Sequence, residues 1–291
     1  MTGPVTGPVR RVNVITHRRP QDIAPALAEL RKAAAEAGVE LCFSEEETRK
    51  HDLQNGAGLS LHAPVGCPAD LALVLGGDGT ILQALRTYLG SGTPVFAVNY
   101  GEVGFLATVE PDQVPDAFRR ALAGNFEVMD LPAIVVDGHE DAGWTAINDV
   151  SFHRQPGLRV ADLSYAVGEE EIGRVRSDGI VVSTPAGSTG YNLANGGPVM
   201  AWGVEGYAVS FIAPHSLTAR ALVVAPQDTL SVSNRSREEP IDVTVDGRPI
   251  CELAAGESLR MMFRDGCGKL AQVPGASFYH RLREKFGRLA S

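Results

Sequence analysis

The sequence is poor in the features that most quickly assign a chain to a class. Its four cysteines, Cys42, Cys67, Cys251 and Cys267, are scattered, with no C-x-x-C pair and no histidine at zinc-like spacing. That excludes a legible disulfide framework or metal-ligand set and reads as free thiols in a reducing, cytoplasmic setting. No apolar run reaches the ~18–20 residues of a membrane span, so no membrane partner is expected. Positive charge is also short. A formal net charge of -9 over 291 residues argues against nucleic acid as a general partner, although a local basic patch can still hold phosphates. The N-terminus repeats Thr2-Gly3-Pro4-Val5 as Thr6-Gly7-Pro8-Val9 with no apolar h-region, so residues 1–10 read as a flexible tail and not a signal peptide. Ser-His-Asp, Cys-His and HExxH arrangements are not legible, and neither the G-x-G-x-x-G nor the G-x-x-x-x-G-K-[ST] loop is present.

What is present centres on Leu71 to Leu85, Leu-Ala-Leu-Val-Leu-Gly-Gly-Asp-Gly-Thr-Ile-Leu-Gln-Ala-Leu. The short apolar run reads as a strand buried on both faces of a parallel sheet. Gly76, Gly77 and Gly79 break it, and a helical pattern follows, with Thr80 and Gln83 spaced as a capping box that predicts a helix start at Thr80. Strand, glycine turn and helix N-terminus present bare N–H groups and a positive dipole end to a phosphate. Asp78 puts a carboxylate where the anion would go. A divalent cation can offset that repulsion, or Asp78 can be the base that takes a proton from an attacking hydroxyl; as a plain turn residue or N-cap it needs neither.

Around this stretch, Val12–Ile15, Val39–Phe43 and Pro94–Val98 read as strands, and Asp22 to Ala37 and Pro111 to Ala123 as helices, with Pro25 placed in a first turn. The acidic run from Ser44 to Lys50 reads as solvated surface. Alternating strands and helices predict an α/β domain over residues 11–125. Past Phe126 the texture changes to short strand-like runs parted by Gly, Pro and Asp turns, which predicts an antiparallel, sandwich-like β-rich domain over 126–268. Residues 269–291 hold a basic amphipathic segment, Phe278 to Leu289, read as a closing helix that packs back on the α/β domain.

Four further clusters carry possible chemistry. Ser177-Asp178-Gly179 and the stretch Ser183 to Pro198, with Gly187-Ser188-Thr189-Gly190-Tyr191 inside it, combine backbone N–H groups and hydroxyls suited to phosphate or ribose, and Tyr191 can stack on a ring. Asn148-Asp149 ends a strand with two acceptors able to chelate a ribose diol; because strand neighbours face opposite sides, this works only if the chain bends there. Gly101 to Leu106 follows a buried strand at its carboxyl end, where Phe105 serves either a ring pocket or the core. His215 and Arg220 precede a strand, with site and structural roles both open. Asp246-Gly247-Arg248 reads as a hairpin turn.

Together these residues resemble the NAD kinase family, in family order and over nearly the whole chain after the tail. The glycine–aspartate loop alone is shared with diacylglycerol, sphingosine and 6-phosphofructo kinases; the stretch from Ser177 to Tyr191 is far more specific. The resemblance implies the two-domain NAD kinase / diacylglycerol kinase-like architecture, homodimers or tetramers, and transfer of the ATP γ-phosphoryl group, with Mg²⁺ or another divalent cation, to the 2′-hydroxyl of the adenosine ribose of NAD. It implies Asp78 as proton acceptor, with Gly76, Gly77, Gly79 and Thr80 at phosphates. The dinucleotide would meet Asp78, Gly79, Phe105, Asn148, Asp149, Asp178, Ala186, Thr189, Gly190, Tyr191, Asn192, Leu193 and Ala194, with Arg176 and Arg248 at positions where members often contact it and Arg159 aligned more loosely across a variable loop. Asp149 stands where Glu is usual, Gly190 replaces an Ala, and Gln83 a basic residue. A lipid or sugar kinase sharing only the loop would leave Asn148 and Tyr191 unexplained; a non-catalytic sensor would bind NAD without turnover.

Overall fold

The computed structural model describes residues 3–4, 7–101, 104–107, 109–139, 142–275 and 277–287. They divide into two compact units, Met1–Asp130 with Gly268–Ser291, and Leu131–Cys267.

The first unit is built on a parallel sheet whose strands run in the order Leu59–Ala63, Glu40–Ser44, Arg11–Thr16, Leu71–Gly76, Val95–Asn99, closed by Leu270–Ala271. Every residue of Leu71–Gly76 and of Val95–Asn99 is buried, as a strand covered on both faces requires. The strand order reverses between Arg11–Thr16 and Leu71–Gly76. In an open α/β sheet a ligand crevice lies outside the carboxyl ends at such a reversal. Helices Pro20–Ala37 and Val114–Leu122 share a core through Ile23, Leu27, Leu30, Phe118 and Leu122. The first starts earlier than the sequence suggests, so exposed Pro25 lies beyond the first turn and the Gln21 carbonyl loses its helical donor. Its end is legible: Gly38 takes the left-handed conformation at φ 67° and caps the Ala34 and Ala35 carbonyls. Pro111–Gln113 is a separate 3₁₀ turn. Of the expected free tail, Gly3–Pro4 pair with Glu127–Val128, and Val9 is buried.

The second unit is the expected antiparallel sandwich. One sheet runs Leu222–Val224, Tyr207–Ile212, Gly179–Ser183, Asp149–Arg154, Ile241–Val245, Arg248–Leu253. The other pairs Glu170–Ser177 with Ala161–Val167, then Leu230–Asn234 with the start of Ser258–Gln272. Val150, Phe152, Ile180, Val182, Val209 and Val243 from the first sheet meet Leu163, Leu230, Val232 and Met261 from the second. The alternate residues of the first sheet, among them Asp149, Ser151, His153, Ser183, Ser210 and Thr244, therefore face away from that core. The hairpin at Asp246–Gly247 is as read: φ is 48° and 72° there, the paired positive values of a type I′ turn. The C-terminal helix runs Phe278–Phe286; its expected continuation to Leu289 lies outside the described residues, as do Glu102 and Val103. Among the described residues no helix is long and apolar enough to cross a membrane.

Candidate active site

The glycine loop differs from the sequence reading in one informative way. The helix is Asp78–Thr87, with Gly77 as an extended N-cap and no side-chain cap, so it begins two residues before Thr80 and no Thr80–Gln83 box forms. Asp78 is thus in the first turn, where a carboxylate complements the helix dipole. Its carboxylate is also held directly, since Phe105 N–H donates to Oδ2 at 2.8 Å and Leu106 N–H to Oδ1 at 3.1 Å. Burial pushes the Asp78 pKa above its ordinary value, and the two amides with the charges of Arg281 and Lys285 pull the other way.

Three glycines make this possible. A Cβ on Gly101 would stand 2.8 Å from Gly77 Cα, one on Gly77 3.0 Å from Gly101 Cα, and one on Gly104 2.9 Å from Asp78 Oδ1. The loop after Val95–Asn99 and the glycine–aspartate loop therefore touch backbone to backbone. Asn99 fixes the bend: its Oδ1 accepts from Gly101 N–H at 3.0 Å and its Nδ2 donates to Glu110 at 3.2 Å. Of the two roles open to Phe105, the packing one has direct support in the ring's surroundings. The ring is buried and lies 5.4 Å from the Phe286 ring.

At the strand-order reversal sits a cavity of about 610 Å³, lined by Thr16, His17 and Arg18, by Gly77, Gly79, Thr80 and Gln83, and by Glu46, Glu47, Lys50 and Arg86. The acidic run read as surface contributes here: Glu45–Lys50 is a helix, and Glu47 is 5 % exposed. Glu47 accepts from Thr16 N–H at 3.0 Å, Thr16 Oγ1 at 2.5 Å and Lys50 Nζ at 2.8 Å. Burial raises its pKa, but hydrogen bonds from His51, Lys50 and Thr16 outweigh it and leave the carboxyl below its ordinary value. The spacing of Glu47, Lys50 and His51 at i, i+3 and i+4 was the available signal.

In the second unit the bend that Asn148-Asp149 needs is present. A short strand ends at Ala146, Ile147 and Asn148 bend, and Asp149 opens the next strand, so the pair leads into a strand instead of ending one. Asp246 holds the bend, its carboxylate accepting from the N–H groups of Ile147 at 3.2 Å, Asn148 at 2.7 Å and Asp149 at 3.2 Å. Asp149 is buried, and burial followed by the charge of Asp246 raises its pKa to about 7. The hydroxyl-rich turn closes on the same bend. Thr184 N–H donates to the Asn148 carbonyl at 2.9 Å, Gly187 N–H to Thr184 Oγ1 at 3.1 Å, and a Cβ on Gly187 would meet Asn148 O at 2.1 Å.

Ala186 is buried beside that turn, Thr189 half-buried, and Gly190, Tyr191 and Ala194 exposed, with Leu193 half-buried between them. Asn192 is fully buried and donates to the Ser188 and Pro198 carbonyls at 3.0 and 2.9 Å, which holds the turn together. Tyr191 stacks on His153 at 5.7 Å and feels the charges of Asp149 and Asp178. Arg154 Nε donates to Asp178 Oδ1 at 2.5 Å. Sequence reading passed over His153, Arg154 and the clamp by Asp246. Arg159, Arg176 and Arg248 are exposed; Arg159 is 4.0 Å from Glu239, and the Arg176 carbonyl accepts from His215 N–H at 2.8 Å. Arg220 Nη1 donates to the Leu217 and Ala219 carbonyls at 2.9 and 2.8 Å. Among the described residues no group of three or more His, Cys, Asp or Glu is placed to hold a metal ion.

A glycine–aspartate turn at a helix N-terminus, beside a crevice at the carboxyl edge of a parallel sheet, defines a protein that handles phosphate. The ATP-NAD kinase N-terminal domain family matches residues 26–126, and the ATP-NAD kinase C-terminal domain family residues 147–269. An NAD kinase of Gemmatimonas aurantiaca is 34% identical over 95% of this chain and 96% of its own length. That of Lachnoclostridium phytofermentans is 38% identical over 76% and 82%. Among solved structures, yeast NADH kinase complexed with NADH superposes with a TM-score of 0.84 at 21% identity, covering 98% of this chain and 88% of that one. An Archaeoglobus fulgidus NAD kinase in complex with ATP gives 0.72 at 22%, covering 96% and 98%. The chain belongs to the NAD kinase family; its activity is that of a phosphotransferase acting on NAD.

Proposed function

We propose that the chain moves the γ-phosphoryl group of ATP to the 2′-hydroxyl of the adenosine ribose of NAD with Asp78 as the proton acceptor. The bond from phosphorus to the leaving β-phosphate oxygen breaks as one to the ribose oxygen forms, and the hydroxyl proton passes to the carboxylate. The observation that carries this reading is the half-buried carboxylate of Asp78, fixed by two backbone amides at 2.8 and 3.1 Å at the head of a helix. Burial that raises its pKa makes it a stronger base than a solvated aspartate, while the amides keep it aimed.

Gly76, Gly77, Gly79 and Thr80 receive the donor phosphates at the crevice, where Arg18 and Lys50 add positive charge. A divalent cation, Mg²⁺ or an equivalent, would come as part of the ATP substrate and would offset the negative charge of its phosphates near Asp78. In the second unit, Asn148 and Asp149 take the ribose hydroxyls. Asp178, Ala186, Thr189, Gly190 and Tyr191 to Ala194 form the dinucleotide wall, with Arg159, Arg176 and Arg248 at its rim. A cytoplasmic homodimer or homotetramer, without nucleic-acid or membrane partners, completes the proposal. The test is direct: purified protein with ATP, Mg²⁺ and NAD forms NADP, read with an NADP-specific dehydrogenase. Tight NAD binding with no NADP would make the chain a sensor instead.

A further inference from the structure

The C-terminal helix brings a guanidinium to the loop that holds Asp78. Arg281 is 9 % exposed, and its Nη1 donates to the Phe105 carbonyl at 2.6 Å. The N–H of the same Phe105 donates to Asp78 Oδ2 at 2.8 Å. One residue of the loop is thus gripped from both sides, by the arginine on its carbonyl and by the carboxylate on its amide. Packing Phe105 against Phe286 needs no buried charge at position 281. Arginine is almost never buried to this degree without anionic partners.

The charges that act on Arg281 come from three segments: Asp78 at the helix start, Glu110 in the loop after Val109, and Glu284 on its own helix. Asp78 in turn feels Arg281 and half-buried Lys285. His280 completes the titratable groups of the small cavity there, paired with Glu284 at 3.4 Å. Burial lowers the Arg281 pKa to about 10, which leaves it charged at neutral pH.

Resting on the reading of Asp78 as proton acceptor, we propose that Arg281 is a positioning residue for phosphoryl transfer, holding the Phe105–Leu106 amides on the Asp78 carboxylate and keeping that half-buried carboxylate ionised. A base that is protonated at neutral pH accepts nothing, and desolvation alone drives Asp78 in that direction. Arg281 supplies the opposing charge without touching substrate.

The experiment is the pH dependence of kcat, from pH 5 to 9 with NAD and Mg²⁺-ATP saturating, for wild type, Arg281→Met and Arg281→Lys. Arg281→Met should move the acid limb to higher pH by about one unit and lower kcat at pH 6, with KM for NAD little changed. Arg281→Lys keeps the charge but not the planar fork, so its limb should lie nearer wild type while kcat falls at every pH. An Arg281→Met protein that melts lower but keeps the wild-type acid limb overturns the proposal, since a packing role alone moves only stability. Should Arg281→Met fail to fold, Lys285→Met removes the second cation from the same carboxylate; its limb should shift the same way by less, and an unmoved limb counts against the electrostatic claim. Asp78 is tested separately. Wild-type turnover in Asp78→Asn removes the base itself, whereas an inactive Asp78→Asn with an unmoved limb in Arg281→Met sinks only the role of Arg281.

Discussion

Replacing Gly101 with alanine isolates the contact on which the geometry at Asp78 depends. The added Cβ would lie 2.8 Å from Gly77 Cα, 3.7 Å from Gly77 N and 3.5 Å from Asn99 Oδ1. The one clashing atom, Gly77 Cα, is backbone, so no rotamer change relieves the clash. Reaching ordinary contact requires the two loops to part by roughly 0.6 Å, in an interior that resists such shifts. Overpacking of this kind costs about 1–3 kcal/mol. Parting the loops also drags the Phe105 and Leu106 amides against the carboxylate they hold. A misplacement approaching 1 Å at a reacting group costs on the order of a hundredfold in rate, so kcat should fall roughly ten- to a hundredfold. The assay is the initial rate of NADP formation at saturating NAD and Mg²⁺-ATP, with a thermal melt on the same samples. A Gly101→Ala protein with unchanged kcat and unchanged melting temperature would refute the claim that these glycines set the base.

Two further perturbations test other parts of the account. Asp149 holds a proton in the folded chain between its ordinary value of 3.8 and about 7, where the unfolded chain has lost it, so this group weakens the fold as pH rises through that window. Asp149→Asn should flatten the trend and gain on wild type toward pH 7, by ~4 kcal/mol at most, in denaturant unfolding at pH 5 and 7.5; parallel curves would disprove the shift. Glu47→Gln leaves Lys50, whose side chain is 14% exposed, with only the exposed Glu46 carboxylate at 3.9 Å as counter-charge. The urea midpoint should report a loss of about 3 kcal/mol, and a loss near zero would return the acidic run to the surface role its composition suggests.

The parts of the fold legible in the sequence are those with local causes. The apolar run Leu71–Leu75 reads as a doubly covered strand because nothing polar interrupts it, and Asp246-Gly247 reads as a hairpin because few residues accept two positive φ values in succession. The helix start misled because Thr80 and Gln83 match a capping box in spacing, while the amides of Phe105 and Leu106, 27 and 28 positions away, hold Asp78 instead. Glu47 misled, and Arg281 drew no reading of its own, for the same reason: burial of a charge is decided by partners far off in sequence, Thr16 for one and the Phe105 carbonyl for the other. The strand Glu170–Ser177 escaped because most of its residues are exposed, so it lacks the apolar alternation by which strands are recognised. Residue identity at the candidate site was readable in Gly76 to Thr80 and in Ser183 to Ala194. What each side chain grips was not, since it depends on loops brought together by the sheets.

The most direct measurement is single-turnover phosphoryl transfer by Asp78→Asn beside calorimetric NAD binding. The account predicts a rate lowered by about 10²–10⁴-fold, with NAD affinity close to wild type. Wild-type transfer by that variant would contradict it.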